Sequence, residues 1–299
     1  MAKVIGGLAM SHAPQLLMPP EKWSDLPNRT KGPFSPKAGI ESEINVETFV
    51  AKSQRCHAAL AEMRAKLTAW APDVVLVMGD DQHENILDDN MPPFVLFTSP
   101  KVEATRHFTY LGASGADQMD EYRVDTGLAD GLLAGLMDAG FDPAWSRETR
   151  DELGLGHAFG RALKFVMPEK QSAILPLMVN TYYPPAPSAK RCVQLGQAIR
   201  QVIDGLPTDQ RVVVLASGGL SHTKIDEKLD AELLSALERS DLDYMGKMRS
   251  DVLVEGTSEI RNWIIAAGIL NRGARVIDYV PCYRNANGVG CGMGFAIWE

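Results

Sequence analysis

Six histidines occur in 299 residues, and three of them stand just after short β-branched runs. His12 follows the run 4–10. His83 follows the run 73–78, in Gly79-Asp80-Asp81-Gln82-His83-Glu84-Asn85. His222 follows the run 211–217, closing Ser217-Gly218-Gly219-Leu220-Ser221-His222. In open α/β sheets, ligands bind beyond the carboxyl ends of the strands, so parallel strands would bring these three imidazoles to one edge. His157, in Gly154-Leu155-Gly156-His157, lies in a glycine-rich entry to a helix. One histidine alone is more often structural than functional; three at strand ends argue jointly for a site. The carboxylates that could join them are Asp80, Asp81, Glu84 and Glu259. Glu259 falls in the first turn of an apolar helix, where balancing the helix dipole is the simpler role. Two imidazoles and one carboxylate form the facial triad of non-haem Fe(II) oxygenases. The same atoms suit zinc hydrolysis, and spacing does not separate the two.

The elements that must position these residues alternate along the chain. Strand-like runs fall at 4–10, 73–78, 94–98, 173–179, 211–217, 276–280 and 294–298. Pro176 argues against a central place for the fourth. Helical patterns fall at 46–70, 125–139, 156–165, 189–203, 226–239 and 258–269. Continuously apolar strands imply a sheet covered on both faces. The fold class is therefore α/β, with one domain spanning residues 1–299 and a mostly parallel central sheet covered by helices on both faces. Residues 19–37 form a proline-rich loop right after the first strand, a candidate site wall.

Composition narrows the function. Apolar residues make up 45% and charged residues 23%, with a net charge of −8 from 30 basic and 38 acidic side chains. No basic block offers a surface for nucleic acid or anionic membrane. No apolar run approaches a membrane span, and the N-terminus lacks a signal-peptide core. The cysteines, Cys56, Cys192, Cys282 and Cys291, form no CxxC pair and read as buried, reduced thiols of a cytoplasmic protein. Gly154-x-Gly156 does not continue as a dinucleotide fingerprint, because Phe159 stands where the third glycine belongs. Gly219-Leu220-Ser221-His222-Thr223 fails the nucleophile-elbow pattern at its last position. The four glycines within 288–294 read as a turn between the last two strands. Asn180-Thr181-Tyr182-Tyr183-Pro184-Pro185 is aromatic and rigid at a strand end, suited to a packed turn or to an aromatic-substrate pocket.

Together these segments resemble the class III extradiol ring-cleavage dioxygenases, specifically the catalytic β subunit of protocatechuate 4,5-dioxygenase and the gallate and 3-O-methylgallate enzymes. The resemblance spans roughly residues 3–270. It rests on Ser11-His12, on 179–191 with its Tyr-Pro-Pro and the adjoining Lys190-Arg191-Cys192, on Ser217–His222, and on Glu259 followed by Trp263. It implies Fe(II) held by His12 and Glu259, an acid/base role for His222, and contact of His157 with substrate or oxygen. The second iron histidine is where the sequence departs. An ungapped match puts Gln82 at that position, and His83 serves as ligand only if the strand end slips by one residue. Tyr182 and Tyr183 are candidate substrate contacts. The resemblance further implies O2-dependent cleavage of a catecholic aromatic acid with no external reductant. The partner would be a second copy of the chain or a separate small α-type subunit. Two other readings stay open: a non-catalytic member of the fold that binds a small molecule or protein, and a zinc hydrolase.

Overall fold

The computed structural model describes residues 1–27, 37–105, 119–150 and 154–299. The strands, in chain order, are β1 (Lys3–Met10), β2 (Val74–Asp80), β3 (Phe94–Phe97), β4 (Lys101–Thr105), β5 (Met119–Arg123), β6 (Ala144–Ser146), β7 (Ala173–Val179), β8 (Arg211–Ser217), β9 (His222–Lys224), β10 (Arg275–Tyr283) and β11 (Val289–Trp298). The helices are α1 (Val46–Trp70), α2 (Thr126–Asp138), α3 (His157–Val166), α4 (Ala189–Gly205), α5 (Glu227–Glu238), α6 (Leu242–Gly246) and α7 (Ile260–Leu270). Polar side chains start most of them: Asn45, Asp125, Ser188 and Asp226 each accept a backbone N–H of the first turn. Helix α1 ends at Ala71 in a left-handed conformation, immediately before Pro72.

A nine-stranded sheet organises the fold, in the order β10-β11-β1-β8-β2-β7-β3-β6 with β9 added beside β11, while β4 and β5 form a separate antiparallel pair. Its centre, β1-β8-β2-β7, is parallel throughout. The β3–β7 pair and the β1–β11–β10 and β11–β9 pairs are antiparallel. The parallel centre matches the expectation; one antiparallel flank comes from the hairpin of the last two long strands and the other from β3 against β7. Strand alternation splits the core in two. Val74, Leu76 and Met78 face one side, packed with α2, α4, α5, α6 and α7, whereas Val75 and Val77 face α1 and α3.

Three expectations need correction. Pro176 sits inside the sheet, between β2 and β3. The ladder to β3 ends at Leu96↔Leu177, which leaves the proline outside that ladder. The glycines at 290, 292 and 294 are not a turn but part of β11; only Gly288, at φ +74°, belongs to the turn. A Cβ at Gly290 would stand 2.2 Å from the Cys282 carbonyl oxygen, and one at Gly292 2.3 Å from an Asp230 oxygen. Small residues are needed there for close approach. Helix α7 begins at Ile260, after a 3-10 turn over Glu255–Glu259, so Glu259 precedes the helix. Its side chain caps nothing. All four cysteines are buried and free. Of the proline-rich loop, Pro20–Asp25 forms a 3-10 helix, and residues 28–36 lie outside the described residues.

Candidate active site

The parallel centre carries four chain segments to one edge. Beyond β1 lies His12, at the end of β2 lies Asp80, beyond β7 lies Tyr182 and beyond β8 lies His222. Glu259 arrives from the turn before α7, and His157 is the first residue of α3. Together with other residues, His12, His157, Tyr182, His222, Glu259 and Gln82 line one cavity of about 490 Å³. That size suits a small-molecule ligand.

Hydrogen bonds fix which nitrogen of each imidazole faces this space. Ser217 Oγ donates to the Ala158 carbonyl at 2.5 Å. Its one proton is thereby committed, so at 2.9 Å it accepts from His12 Nδ1. The lone pair of His12 is left on Nε2, 3.8 Å from Glu259 Oε2. Burial drives the His12 pKa down to about 3, which keeps the ring neutral at physiological pH and fit to ligate a metal. The Glu84 carboxylate accepts from both the backbone N–H of His157, at 3.0 Å, and its Nδ1, at 2.7 Å. Burial opposes the charge on Glu84, but the adjacent His157 outweighs it and holds the carboxyl below its usual range. Gly156 makes this approach feasible: it sits at φ +87°, and a Cβ there would meet the Glu84 carboxylate at 2.3 Å.

Glu259 is the hub. Its Oε2 accepts the Gly219 N–H at 2.8 Å, and its Oε1 accepts from Tyr182 Oη at 3.3 Å and His222 Nε2 at 3.1 Å. Burial alone would raise its pKa, yet His222 and His12 bring it to about 2. His222 Nδ1 donates to the Leu220 carbonyl at 3.0 Å. Burial disfavours a charged His222, but the Glu259 carboxylate prevails and its pKa is raised. The loop holding His222 is braced from behind. Trp263 Nε1 donates to the Gly218 carbonyl, and Asp230 accepts from both the backbone N–H and the hydroxyl of Ser221. Ser221 thus braces the loop; its hydroxyl is not placed as a nucleophile.

Among the described residues, His12, Asp80 and Glu259 each offer one ligand atom, all within 4.8 Å of one another. Asp80 is fully buried and its Oδ1 accepts no hydrogen bond. Burial and the nearby Glu259 push its pKa well up. A neutral imidazole lone pair, two carboxylates and an orphaned buried oxygen fit a divalent cation.

The family model for the catalytic LigB subunit of aromatic ring-opening dioxygenase matches residues 7–293. The chain belongs to the LigB family. The class III extradiol resemblance drawn from the sequence is thereby borne out. Among curated proteins, the LigB-family chain is 30% identical over 167 residues to a 2,3-dihydroxyphenylpropionate/2,3-dihydroxicinnamic acid 1,2-dioxygenase of Comamonas testosteroni. That match takes in 55% of this chain and 47% of the relative. A second such enzyme, from Pseudomonas putida, is 29% identical over 181 residues, 58% of this chain and 53% of its own. The chain spans about half the length of the curated relatives it matches. A crystal structure of an uncharacterized Escherichia coli K12 protein superposes with a TM-score of 0.51 at 12% identity, covering 97% of this chain and 98% of that one. That likeness concerns the fold.

Within the LigB-family site, the structure departs from the sequence reading at the end of β2. His83 does not reach the cavity. It is exposed, at φ +63°, with its ring stacked on Tyr183 at 3.7 Å and its Nε2 3.2 Å from Asp88 Oδ1. The cause is local. Asp81 accepts the N–H groups of Asn85 and Ile86 and closes a tight turn, which points Gln82 and Glu84 inward and His83 outward. Gln82 lines the cavity and donates to Asp80 Oδ2 at 3.2 Å. Tyr183, expected beside substrate, is instead outside with His83, and only Tyr182 faces the cavity. Sequence reasoning named Asp80 and Glu84 only as generic carboxylates. It missed Arg284, which lines the cavity from the β10–β11 turn and donates to the carbonyls of Leu26 and Pro27.

Proposed function

We propose that this protein is an Fe(II)-dependent extradiol ring-cleavage dioxygenase acting with O2 on a catecholic aromatic acid. The observation that carries the reading is the convergence of His12, His157, His222 and Glu259 on one cavity at the strand ends of a LigB-family fold. His12 and Glu259 would supply metal ligands through Nε2 and the carboxylate. Bound Fe(II) would lower the pKa of a catechol hydroxyl and hold substrate and O2 side by side. His222, held as the charged ring by the Leu220 carbonyl and the Glu259 carboxylate, is set to give a proton from Nε2 as the ring opens and, once neutral, to take the hydroxyl proton there. His157, its Nδ1 held by Glu84, presents Nε2 for a hydrogen bond to the reacting groups. Ala13, Pro14, Leu26 and Pro27 give the aromatic ring an apolar wall. Arg284 supplies a guanidinium for the substrate carboxylate, which an acidic chain needs locally.

The substrate class includes protocatechuate, gallate and 3-O-methylgallate; 2,3-dihydroxyphenylpropionate joins the panel from the names of the curated relatives. The test is oxygen consumption by protein loaded anaerobically with Fe(II). Uptake of one O2 per substrate, with a yellow ring-opened product from any member, supports the reading. No uptake across the panel, with metal shown to be bound, overturns it in favour of a binding protein.

A further inference from the structure

We infer that Asp80 completes the metal centre in place of a second imidazole, with Gln82 as the residue that orients it. The centre is then one histidine and two carboxylates, His12, Asp80 and Glu259, whose ligand atoms lie within 4.8 Å of one another. The assignment rests on the proposed function only in taking this cavity as the metal centre.

Three observations lead there. First, the turn that Asp81 closes after β2 keeps Gln82 beside Asp80 on the cavity side and turns His83 out against Tyr183, so no second imidazole from this segment reaches the ligand cluster. Second, Asp80 Oδ1 is buried without a hydrogen-bond partner, beside a carboxylate of the same sign that is also buried. Two ionised carboxylates in a dry site repel one another unless a cation lies between them. Third, the other Asp80 oxygen is engaged. Gln82 Nε2 donates to Oδ2 at 3.2 Å, which leaves Oδ1 as the oxygen offered to the cluster. An outer hydrogen bond of this kind sets the direction of a ligating carboxylate. The glutamine at the expected ligand position is thus a positioning residue.

The donor set has a chemical consequence. A neutral imidazole and two carboxylates carry a charge of −2 and balance a divalent ion fully. Two imidazoles and one carboxylate would leave a net positive centre. Oxygen donors favour the harder first-row ions, so the site suits Mn(II) or Fe(II) and gives Zn(II) less advantage than imidazole-rich sites do.

The test uses Mn(II) alone, titrated into the full chain and followed by loss of the free-ion EPR signal. The wild type is expected to bind one Mn(II) per chain. Asp80→Asn should weaken binding by at least about a hundredfold, and Gln82→Ala by about ten- to a hundredfold. Thermal melting separates ligation from folding. Metal-free Asp80→Asn should melt at or above wild type, because the cost of burying a carboxyl beside Glu259 is removed, and should gain nothing from Mn(II). A lower metal-free melting point would mark Asp80 as a structural residue and overturn the assignment. So would unchanged Mn(II) binding by Asp80→Asn, a greater loss in Gln82→Ala than in Asp80→Asn, or no binding by wild type. Metal bound through Asp80 without ring cleavage would sink the proposed function and leave this assignment standing. Cleavage by an Asp80→Asn variant that still holds metal would do the reverse.

Discussion

His12 and His222 sit in one cavity but are held differently. At His12 a serine whose only proton is spent on a backbone carbonyl forces Nδ1 to donate and frees Nε2. At His222 a carbonyl and a carboxylate engage the two nitrogens, a pairing that favours the charged ring. Under the proposed function, the first arrangement suits a ligand and the second a proton carrier. Replacing His222 with Phe should therefore lower ring-cleavage kcat by about 10²- to 10⁴-fold while leaving metal stoichiometry unchanged. Steady-state rates beside metal analysis check this, and loss of metal would reassign His222 as a ligand. Glu84 gives a pH signature. Its carboxyl is held below the ordinary 4.5 by His157, so its contribution to stability is complete above about pH 4.5 and is lost as pH falls through the lowered native value. Glu84→Gln should be less stable than wild type at pH 7, and the gap should close in acid. Urea melts at pH 7 and pH 3.5 measure it.

The elements bring these residues together because four parallel strands end at one edge, and that was legible in the sequence. Short apolar runs and the helical periodicity between them made the architecture legible, and the strand-end positions put His12 and His222 at one edge; His157 and Glu259 joined them only through the family resemblance, and His83, expected there too, turns away. The inward or outward sense of the β2 end was not legible. It depends on the Asp81 carboxylate closing a turn over Asn85 and Ile86, and a short polar loop carries no periodicity to reveal that. The hairpin role of β11 was hidden for a similar reason, since its alternate glycines mimic a turn. The Gly256 backbone is a comparable constraint. A Cβ there would lie 2.0 Å from His222 Cδ2. Gly256→Ala should push the imidazole aside, costing about 1–3 kcal/mol of stability and most of the activity. A melting curve and an oxygen-uptake trace on one sample test both effects.

For the whole molecule, a metal held in this cluster would be linked to the fold. The ligand cluster draws on the segments after β1, at the end of β2 and before α7, so a bound ion ties the two halves of the chain to one edge. An ion that binds only the folded chain adds about 2.7 kcal/mol at a hundredfold excess over its Kd. Loading with Mn(II) or Fe(II) should raise the Tm by on the order of 5 °C, and chelation should reverse it. Calorimetry in matched buffers tests this, and an unchanged Tm would argue against a metal centre.

The pairing of β1 bears on how the chain is made. Its partners on either side are β8, from residue 211 onward, and β11, from residue 289 onward. A ribosome adding about 5–20 residues per second leaves β1 without a neighbour for about 10–40 s, until β8 emerges. Throughout that interval a nearly continuous apolar strand has both edges bare, and such edges recruit other chains. His12 waits with it, because Ser217, the residue that sets its tautomer, is the last of β8 to be synthesised. The first-made histidine of the cavity is thus oriented only once β8 is complete, and exposed strand edges are open to mispairing with other chains during that wait.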